Sequence, residues 1–368
     1  MSGPKGYSHR ICLAIHGLIP GGMEKVMAQL AWQFSAKEGV DLHMLLYGRE
    51  REIFYQLPES VHIHQPGFPF DNKWRLLNTI RTAAFIRKTV RRIRPTALLS
   101  FGEYWNSFVL LSLAGTAVPV FVSDRSSPNR KMGSWQSWLR KMLYPRAKGL
   151  VAQTNYARRV AEESRRNSHI RVIGNPIQLH QPSAFVERQN TVLTVARMVR
   201  TKHLDRLIDL FMRVRHRDWK LVIVGNDAQN QGVMAELRQQ VKLLNAEDWI
   251  EFAGYSKHPE DYYLRSKVFA FTSSSEGFPN VIGEALSAGL PVVAYDCVAG
   301  PSEMIRDGEN GFLIPLFDDE LFAERLRQLM NDDKLREEMA CLAASSVSQF
   351  SSAAIAEQYY SFITGGQG

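Results

Sequence analysis

Ser273-Ser274-Ser275-Glu276-Gly277-Phe278-Pro279-Asn280-Val281-Ile282-Gly283-Glu284 sets two carboxylates eight positions apart, with a Gly-Phe-Pro turn between them. The run Lys267 to Phe271 before it reads as a buried strand. After it, Val281, Ile282, Ala285, Leu286 and Ala288 recur at helical spacing, and Pro279 suits the first turn of that helix. The stretch is therefore strand, loop and helix, with Glu276 on the loop and Glu284 about a turn inside the helix. Backbone N–H groups at a helix start hold anions. Carboxylates on either side of a phosphate can grip sugar hydroxyls. The pattern predicts a nucleotide-sugar site at Glu276, Gly277, Phe278, Asn280, Val281 and Glu284.

Strand and helix signals alternate in both directions from this block, which predicts an α/β protein with parallel sheets. In the first half the strands are expected at Ile11–Ile15, Leu42–Tyr47, Val61–Ile63, Ala97–Phe101, Pro119–Ser123 and Leu150–Gln153. Helical periodicity fills Glu24–Ser35, Leu76–Ile93, Tyr104–Leu113, Trp135–Leu143 and Tyr156–Glu163. A second series of strands starts at Val192–Ala196 and runs through Leu221–Val224, Ile250–Phe252, Val268–Phe271 and Val292–Ala294. The length, 368 residues, suits two domains. A linker rich in polar residues, with Pro176 and Pro182, is expected between Asn175 and Asn190. The domains are thus expected at 1–178 and 187–349.

The charge is unevenly placed. Residues 1–180 hold 26 lysines and arginines against 11 acids, a balance of +15, and residues 181–368 hold 19 against 26, a balance of −7. A basic first half is expected to meet an anionic surface or substrate. Tyr104 to Ser123 carries no charge, but Gly115 and Pro119 break it, so it reads as helix then strand rather than a membrane span. Cys12, Cys297 and Cys341 show neither a disulfide framework nor a metal spacing, and the apolar run after the polar N-terminus is too short for a signal peptide. The expectation is a cytoplasmic protein.

Three further sites follow from the residues. The first strand ends at His16 and leads through Gly21-Gly22-Met23-Glu24 into a helix, an anion-binding arrangement that lacks the Gly-x-Gly-x-x-Gly dinucleotide pattern. Glu24 there also suits the helix dipole. Arg197 closes the strand near Val192–Ala196 and Lys202 follows it, so two cations can neutralise a diphosphate. Gly225-Asn226-Asp227 and Gly254-Tyr255-Ser256 follow strands, where open α/β sheets bind ligands, and Tyr255 is a candidate neighbour for a base. No Asp-x-Asp triplet occurs to hold a divalent ion, so no metal is expected.

The Glu-x7-Glu block is followed by Ala288-Gly289-Leu290-Pro291-Val292-Val293-Ala294, then Gly300-Pro301-Ser302-Glu303, then Asp307-Gly308-Glu309-Asn310-Gly311-Phe312. This ordered series resembles glycosyltransferase family four. The resemblance implies the GT-B architecture, two Rossmann-like domains facing across a cleft, with a last helix at about 350–366 packing back on the first. It implies a retaining enzyme that moves a hexose-type sugar from a nucleotide-diphosphate sugar, UDP in preference to GDP, to a glycan acceptor. The acceptor expected is a lipid-linked oligosaccharide of bacterial surface polysaccharide synthesis. Glu276 is then implied to grip the donor sugar, Glu284 the ribose, and Arg197 and Lys202 the leaving diphosphate, while Gly21 and Gly22 resemble the family's Gly-Gly-x-Glu loop. Ala196 and His203 stand where the family's Gly-Arg-Leu-x-x-x-Lys-Gly has glycines. Ser123-Asp124-Arg125 departs further, because the family has a histidine there. Arg125 stays protonated and cannot be a base; it is a candidate for the leaving phosphate or an acidic group, and a structural ion pair is the competing reading.

Other readings stay open. An inverting route would need Glu24 or Asp124 as base. An epimerase or dehydrogenase on the same architecture, or a non-catalytic nucleotide-sugar-binding partner subunit, would share the fold. Trp135 and Trp138 recur at helical spacing beside Arg130, Lys131, Arg140 and Lys141, which suits either an anionic membrane surface or packing into the domain. No nucleic-acid motif is present.

Overall fold

The computed structural model describes residues 8–49, 52–164, 166–180, 187–216, 218–227 and 231–365. Residues 181–186 of the expected linker, Pro182 among them, lie outside the described residues. The chain divides into two compact units. One runs to Pro176 and resumes at Ser352; the other is Ile177–Ser351.

The first unit carries strands β1 (His9–Ile15), β2 (Val40–Leu46), β3 (His62–His64), β4 (Ala97–Phe101), β5 (Val120–Ser123), β6 (Gly149–Ala152) and β7 (Ile170–Val172). They form one sheet in the order β3-β2-β1-β4-β5-β6-β7, and every pair is parallel. β7 was not legible in the sequence, being three residues with a polar centre. The uncharged stretch Tyr104–Ser123 breaks into helix Glu103–Ser112 and β5. Among the described residues no helix is long and apolar enough to cross a membrane. The final helix, Ser352–Thr364, packs on helix Gly22–Ser35, where Tyr360 meets Phe34 edge-on at 5.8 Å, while Tyr359 and Phe362 bury against Phe101 and Phe121 of the sheet, and Lys37 pairs with Glu357 at 2.5 Å.

The second unit carries β8 (Thr191–Val195), β9 (Lys220–Val224), β10 (Ile250–Gly254), β11 (Val268–Phe271), β12 (Val292–Asp296) and β13 (Gly311–Pro315), in the order β10-β9-β8-β11-β12-β13. This is the doubly wound order of nucleotide-binding folds. Alternate residues serve opposite faces. Val192, Leu221, Ile223, Val268 and Ala270 join one buried cluster; Leu193, Val222, Val224, Phe269 and Phe271 join another. A strand buried on both faces reads as a continuous apolar run, which is why these strands are plain in the sequence.

One edge of the first sheet carries a histidine cluster. His43 Nδ1 lies 3.0 Å from His64 Nε2, and His43 and His62 lie 3.3 and 3.5 Å from Asp41, whose other oxygen takes Arg10 at 2.6 Å. Burial, with His43, Arg92 and His62 nearby, pulls His64 down to about 4 from the usual 6.5, and burial lowers His43 as well. A lowered histidine pKa means the unfolded chain takes up the proton first as pH falls. The stability it contributes is full above about 6.5 and is lost toward 4. Urea midpoints should therefore drop between pH 7 and pH 5, and less so in His64→Gln. Equal pH slopes in both proteins would refute this.

Candidate active site

In the second unit the strand order reverses between β8 and β11. Loops leaving such a pair diverge and open a crevice at the carboxyl ends of the strands. The loop after β8 ends at Lys202 and His203, and the loop after β11 carries Thr272 to Pro279. They are laced together: Ser274 N donates to Thr201 O at 3.0 Å, and Thr272 Oγ1 donates to Lys202 O at 2.8 Å. Lys202 Nζ then pairs with Glu276 Oε1, both side chains being largely buried. Residues 74 apart in sequence thus meet as one charge pair at the switch point.

His203 explains why glycine is the usual occupant of its position. Its φ is +48°, the left-handed region, which costs a side-chain-bearing residue about 1 kcal/mol. The ring offsets this. Nε2 lies 2.9 Å from Ser274 Oγ, and the ring meets Phe317 edge-on at 5.1 Å. Burial lowers its pKa, so the ring is neutral at pH 7.

Arg197 does not join the pair. Its side chain is exposed, and among the described residues no hydrogen bond or ion pair engages it. Gly225 sets its place. φ there is +146°, and a Cβ would sit 1.8 Å from Ala196 O, so only glycine lets the loop after β9 close against the loop that holds Arg197. Met198 N then donates to Asn226 O at 2.9 Å. The next loop along carries Tyr255, which is 69% exposed and open to a ligand.

The helix after Glu276 spans Asn280–Ser287. Pro279 precedes it rather than opening its first turn, a correction of one position. Two N–H groups expected to be open at the helix start are engaged: Asn280 N donates to Phe278 O at 3.1 Å and Ile282 N to Pro279 O at 3.0 Å. Gly300 supports this turn, since a Cβ there would lie 2.1 Å from Pro279 Cδ. Glu284 accepts the Tyr263 hydroxyl at 3.1 Å. Tyr263 is fully buried, and burial with the Glu284 charge holds its phenol protonated. No spacing in the sequence pointed to Tyr263. Gly277, Phe278 and Val281 lie on the same loop and helix start, Phe278 facing the core.

The first unit brings a second set together. Its strand order reverses between β1 and β4. His16, just past β1, stacks on Trp105 at 5.1 Å and lies 3.5 Å from buried Glu24. Burial lowers His16 although Glu24 raises it. The Glu24 carboxylate folds over Gly21, where a Cβ would sit 2.2 Å from it, whereas a Cβ at Gly22 would meet open space. Glu24 thus has a structural partner in His16 and does more than answer the helix dipole.

Asp124 and Arg125 part company. Asp124 pairs with Arg140, lies 3.8 Å from Arg166 and accepts Tyr144 OH at 2.7 Å. This weighs against Asp124 as a catalytic base, because each of its oxygens already accepts a hydrogen bond, one from Arg140 and one from Tyr144. It also removes Arg140 from the free basic face. Arg125 makes no ion pair among the described residues. It donates to Tyr359 OH at 3.1 Å and Asn175 Oδ1 at 2.6 Å and lies 4.6 Å over the Phe101 ring, while its buried Nε has no partner. Glu103 fixes the turn by accepting from Arg125 N and Ser126 N at 2.6 and 2.5 Å. Among the described residues no group of three His, Cys, Asp or Glu side chains is arranged to hold a metal ion.

Residues 177–344 match the family model for glycosyl transferases group 1, and residues 20–181 match that for Glycosyltransferase Family 4. An amylovoran biosynthesis glycosyltransferase of Erwinia amylovora is 28% identical over 345 residues, 90% of this chain and 93% of that protein. A Campylobacter jejuni protein named as an N-acetylgalactosamine-N,N'-diacetylbacillosaminyl-diphospho-undecaprenol 4-alpha-N-acetylgalactosaminyltransferase is 26% identical over 373 residues, 97% of this chain and 100% of that protein. The crystal structure of the Anabaena protein HepE in complex with UDP superposes with a TM-score of 0.81, covering 97% of this chain and 100% of that one at 18% identity. Matched in both halves, and built of two parallel-sheet α/β units, this chain belongs to glycosyltransferase family four and has its GT-B fold.

Proposed function

We propose that this glycosyltransferase is a retaining hexosyltransferase that moves a sugar from UDP to a lipid-linked oligosaccharide in bacterial surface polysaccharide synthesis. The observation that carries the reading is the Lys202–Glu276 pair at the switch point, with Glu284 one loop and turn further on. The named activities of the Erwinia and Campylobacter relatives, and the UDP in HepE, support the substrate classes.

The donor belongs to the second unit. Glu284, oriented by Tyr263, takes the ribose hydroxyls. Glu276 takes a sugar hydroxyl with one oxygen while the other holds Lys202, so donor binding leaves that lysine aimed at the diphosphate. Arg197, whose side chain has no partner among the described residues, adds the second cation. Tyr255 covers the base. The acceptor belongs to the first unit. There Gly22 faces open space at the helix start, Gly21 seats the Glu24 carboxylate, and Arg125, with no ion pair among the described residues, offers a guanidinium to a phosphate or acidic group. The acceptor hydroxyl oxygen bonds to the anomeric carbon on the face the phosphate leaves. The anomeric C–O bond breaks toward the phosphate, which takes the electron pair and then the acceptor proton. Charge grows on that phosphate, where Lys202 and Arg197 stabilise it.

The two cations also replace a divalent ion. Incubation with radiolabelled UDP-sugars and a lipid extract should give a glycolipid of retained anomeric configuration, with turnover persisting in excess chelator. An inverted product sinks retention, and activity restored only by magnesium or manganese sinks the cation assignment. A changed nucleotide sugar formed without acceptor would mark an epimerase.

Helix Ser134–Leu143 favours a membrane-surface location on the cytoplasmic face. Trp135 and Trp138 are 67% and 50% exposed and stack at 4.9 Å, with Arg130, Lys131 and Lys141 exposed beside them. Each cation near an anionic bilayer contributes on the order of 1 kcal/mol, screened by salt. Sedimentation with anionic vesicles should weaken at high salt and fall further in Trp135→Ala/Trp138→Ala. Failure to bind anionic vesicles at low salt would refute docking.

A further inference from the structure

A cavity of about 410 Å³ opens at the carboxyl end of β2, lined by Tyr47, Arg49, Phe70, Arg75, Trp105 and Phe108 among others. Its position follows from Gly48. Gly48 N donates to His16 O at 2.5 Å, and a Cβ there would lie 2.1 Å from that oxygen. The loop after β2 is therefore pressed onto the end of β1, with Arg49 at the mouth. Trp105, stacked on His16, gives the cavity a wall in common with the His16–Glu24 group.

The lining carries two arginines and no acid. The Arg49 guanidinium lies 4.4 Å over the Phe70 ring, and neither Arg49 nor Arg75 makes an ion pair among the described residues. Two exposed cations without an ion pair among the described residues, lining one open cavity, attract an anion. The flanking helices add the second half of the argument. Arg75 opens helix Arg75–Ile93, where Leu76, Leu77 and Ile80 are 76%, 50% and 58% exposed. Gln136, also in the lining, belongs to helix Ser134–Leu143, which exposes Trp135 and Trp138. Cationic groups at the cavity and apolar side chains on both flanking helices fit a ligand that is an anion at one end and a hydrocarbon at the other.

We propose that this cavity is the seat of an isoprenoid-type lipid diphosphate, with Arg49 and Arg75 on its phosphates and its hydrocarbon along the exposed apolar residues of the two helices. The glycan of the acceptor then leads past Trp105 toward His16. This rests on the reading of the protein as a transferase with a lipid-linked acceptor, and it assigns the residues that select the lipid carrier. A free phosphate would account for the arginines but leave the apolar helix faces without a role. A bilayer alone would account for those faces but not for an aromatic-walled cavity with two cations.

Calorimetry with farnesyl diphosphate as the probe tests the assignment on the full chain. The parent should bind it. Arg49→Gln and Arg75→Gln should each weaken it about tenfold, the effect of losing one charge-assisted contact, and the double variant about a hundredfold. Inorganic pyrophosphate should bind at least tenfold more weakly than farnesyl diphosphate. Unchanged farnesyl diphosphate affinity in the double variant overturns the site, and pyrophosphate binding as tight as the probe overturns the lipid. UDP titrated into the same preparations should bind all four proteins alike, which verifies their fold. Lack of UDP binding by the parent would instead overturn the donor reading, whatever the probe does.

Discussion

Lys202→Ala is expected to lower kcat about 10²–10³-fold while changing donor affinity by less than about tenfold, the pattern of a group that acts on charge formed in the transition state. Two effects must be separated. Lys202 and Glu276 are both largely buried, so removing the lysine also leaves an unpaired carboxylate. Lys202→Ala should therefore lose stability as well. Lys202→Met/Glu276→Gln removes both charges in similar volume. It should recover most of that stability, yet its kcat should stay low. Recovery of kcat together with stability would show that the lysine only neutralises Glu276. Arg197→Ala, at an exposed position whose side chain has no partner among the described residues, should lower kcat with no loss of stability. If kcat is kept and only donor affinity falls, the leaving-group role is wrong.

Glu284→Ala should weaken UDP binding about a hundredfold. A carboxylate that accepts two ribose hydroxyls makes two charge-assisted bonds of about 1.5–3 kcal/mol each. Tyr263 separates contact from orientation. Its hydroxyl holds one Glu284 oxygen at 3.1 Å from a fully buried position. Tyr263→Phe keeps the carboxylate and loses only its support, so it should cost UDP affinity by a few-fold. Deoxygenated UDP analogues complete the test: they should lose affinity in the parent and lose nothing further in Glu284→Ala. Equal UDP affinity in parent and Glu284→Ala would take Glu284 away from the ribose.

The sequence carried the strands of both sheets because buried parallel strands are nearly uniform apolar runs. It did not carry β7, too short and polar at its centre, or β13, whose Gly311 and Phe312 stood out as motif residues instead. Residue types at the candidate site were legible because diphosphates and sugar hydroxyls demand cations and carboxylates at loop positions. Their partners were not. Glu276 and Lys202 meet across 74 residues, Glu284 and Tyr263 across 21, and Asp124 finds Arg140 on a helix that read as suited to an anionic membrane surface or to packing into the domain. Such pairings are set by strand order, and no local spacing records them. His203 is the instructive case. Against the family pattern it looked like a lost glycine, yet the backbone keeps the glycine conformation and the ring finds Ser274.

The last helix gives the chain an unusual order of assembly. Ile177–Ser351 is continuous, so everything its core needs is made before the closing helix. The earlier unit lacks Tyr359 until the helix Ser352–Thr364 emerges. That side chain is fully buried, lies 3.3 Å from Ser123 Oγ and receives a hydrogen bond from Arg125. Nascent domains commonly fold from the N-terminus first. Here the part made first is the part that must wait, with its apolar seat for the closing helix open to solvent or to a chaperone while the second unit is translated. Emergence of Ser352–Thr364, rather than the end of the first sheet's sequence, is then the event that completes the first unit.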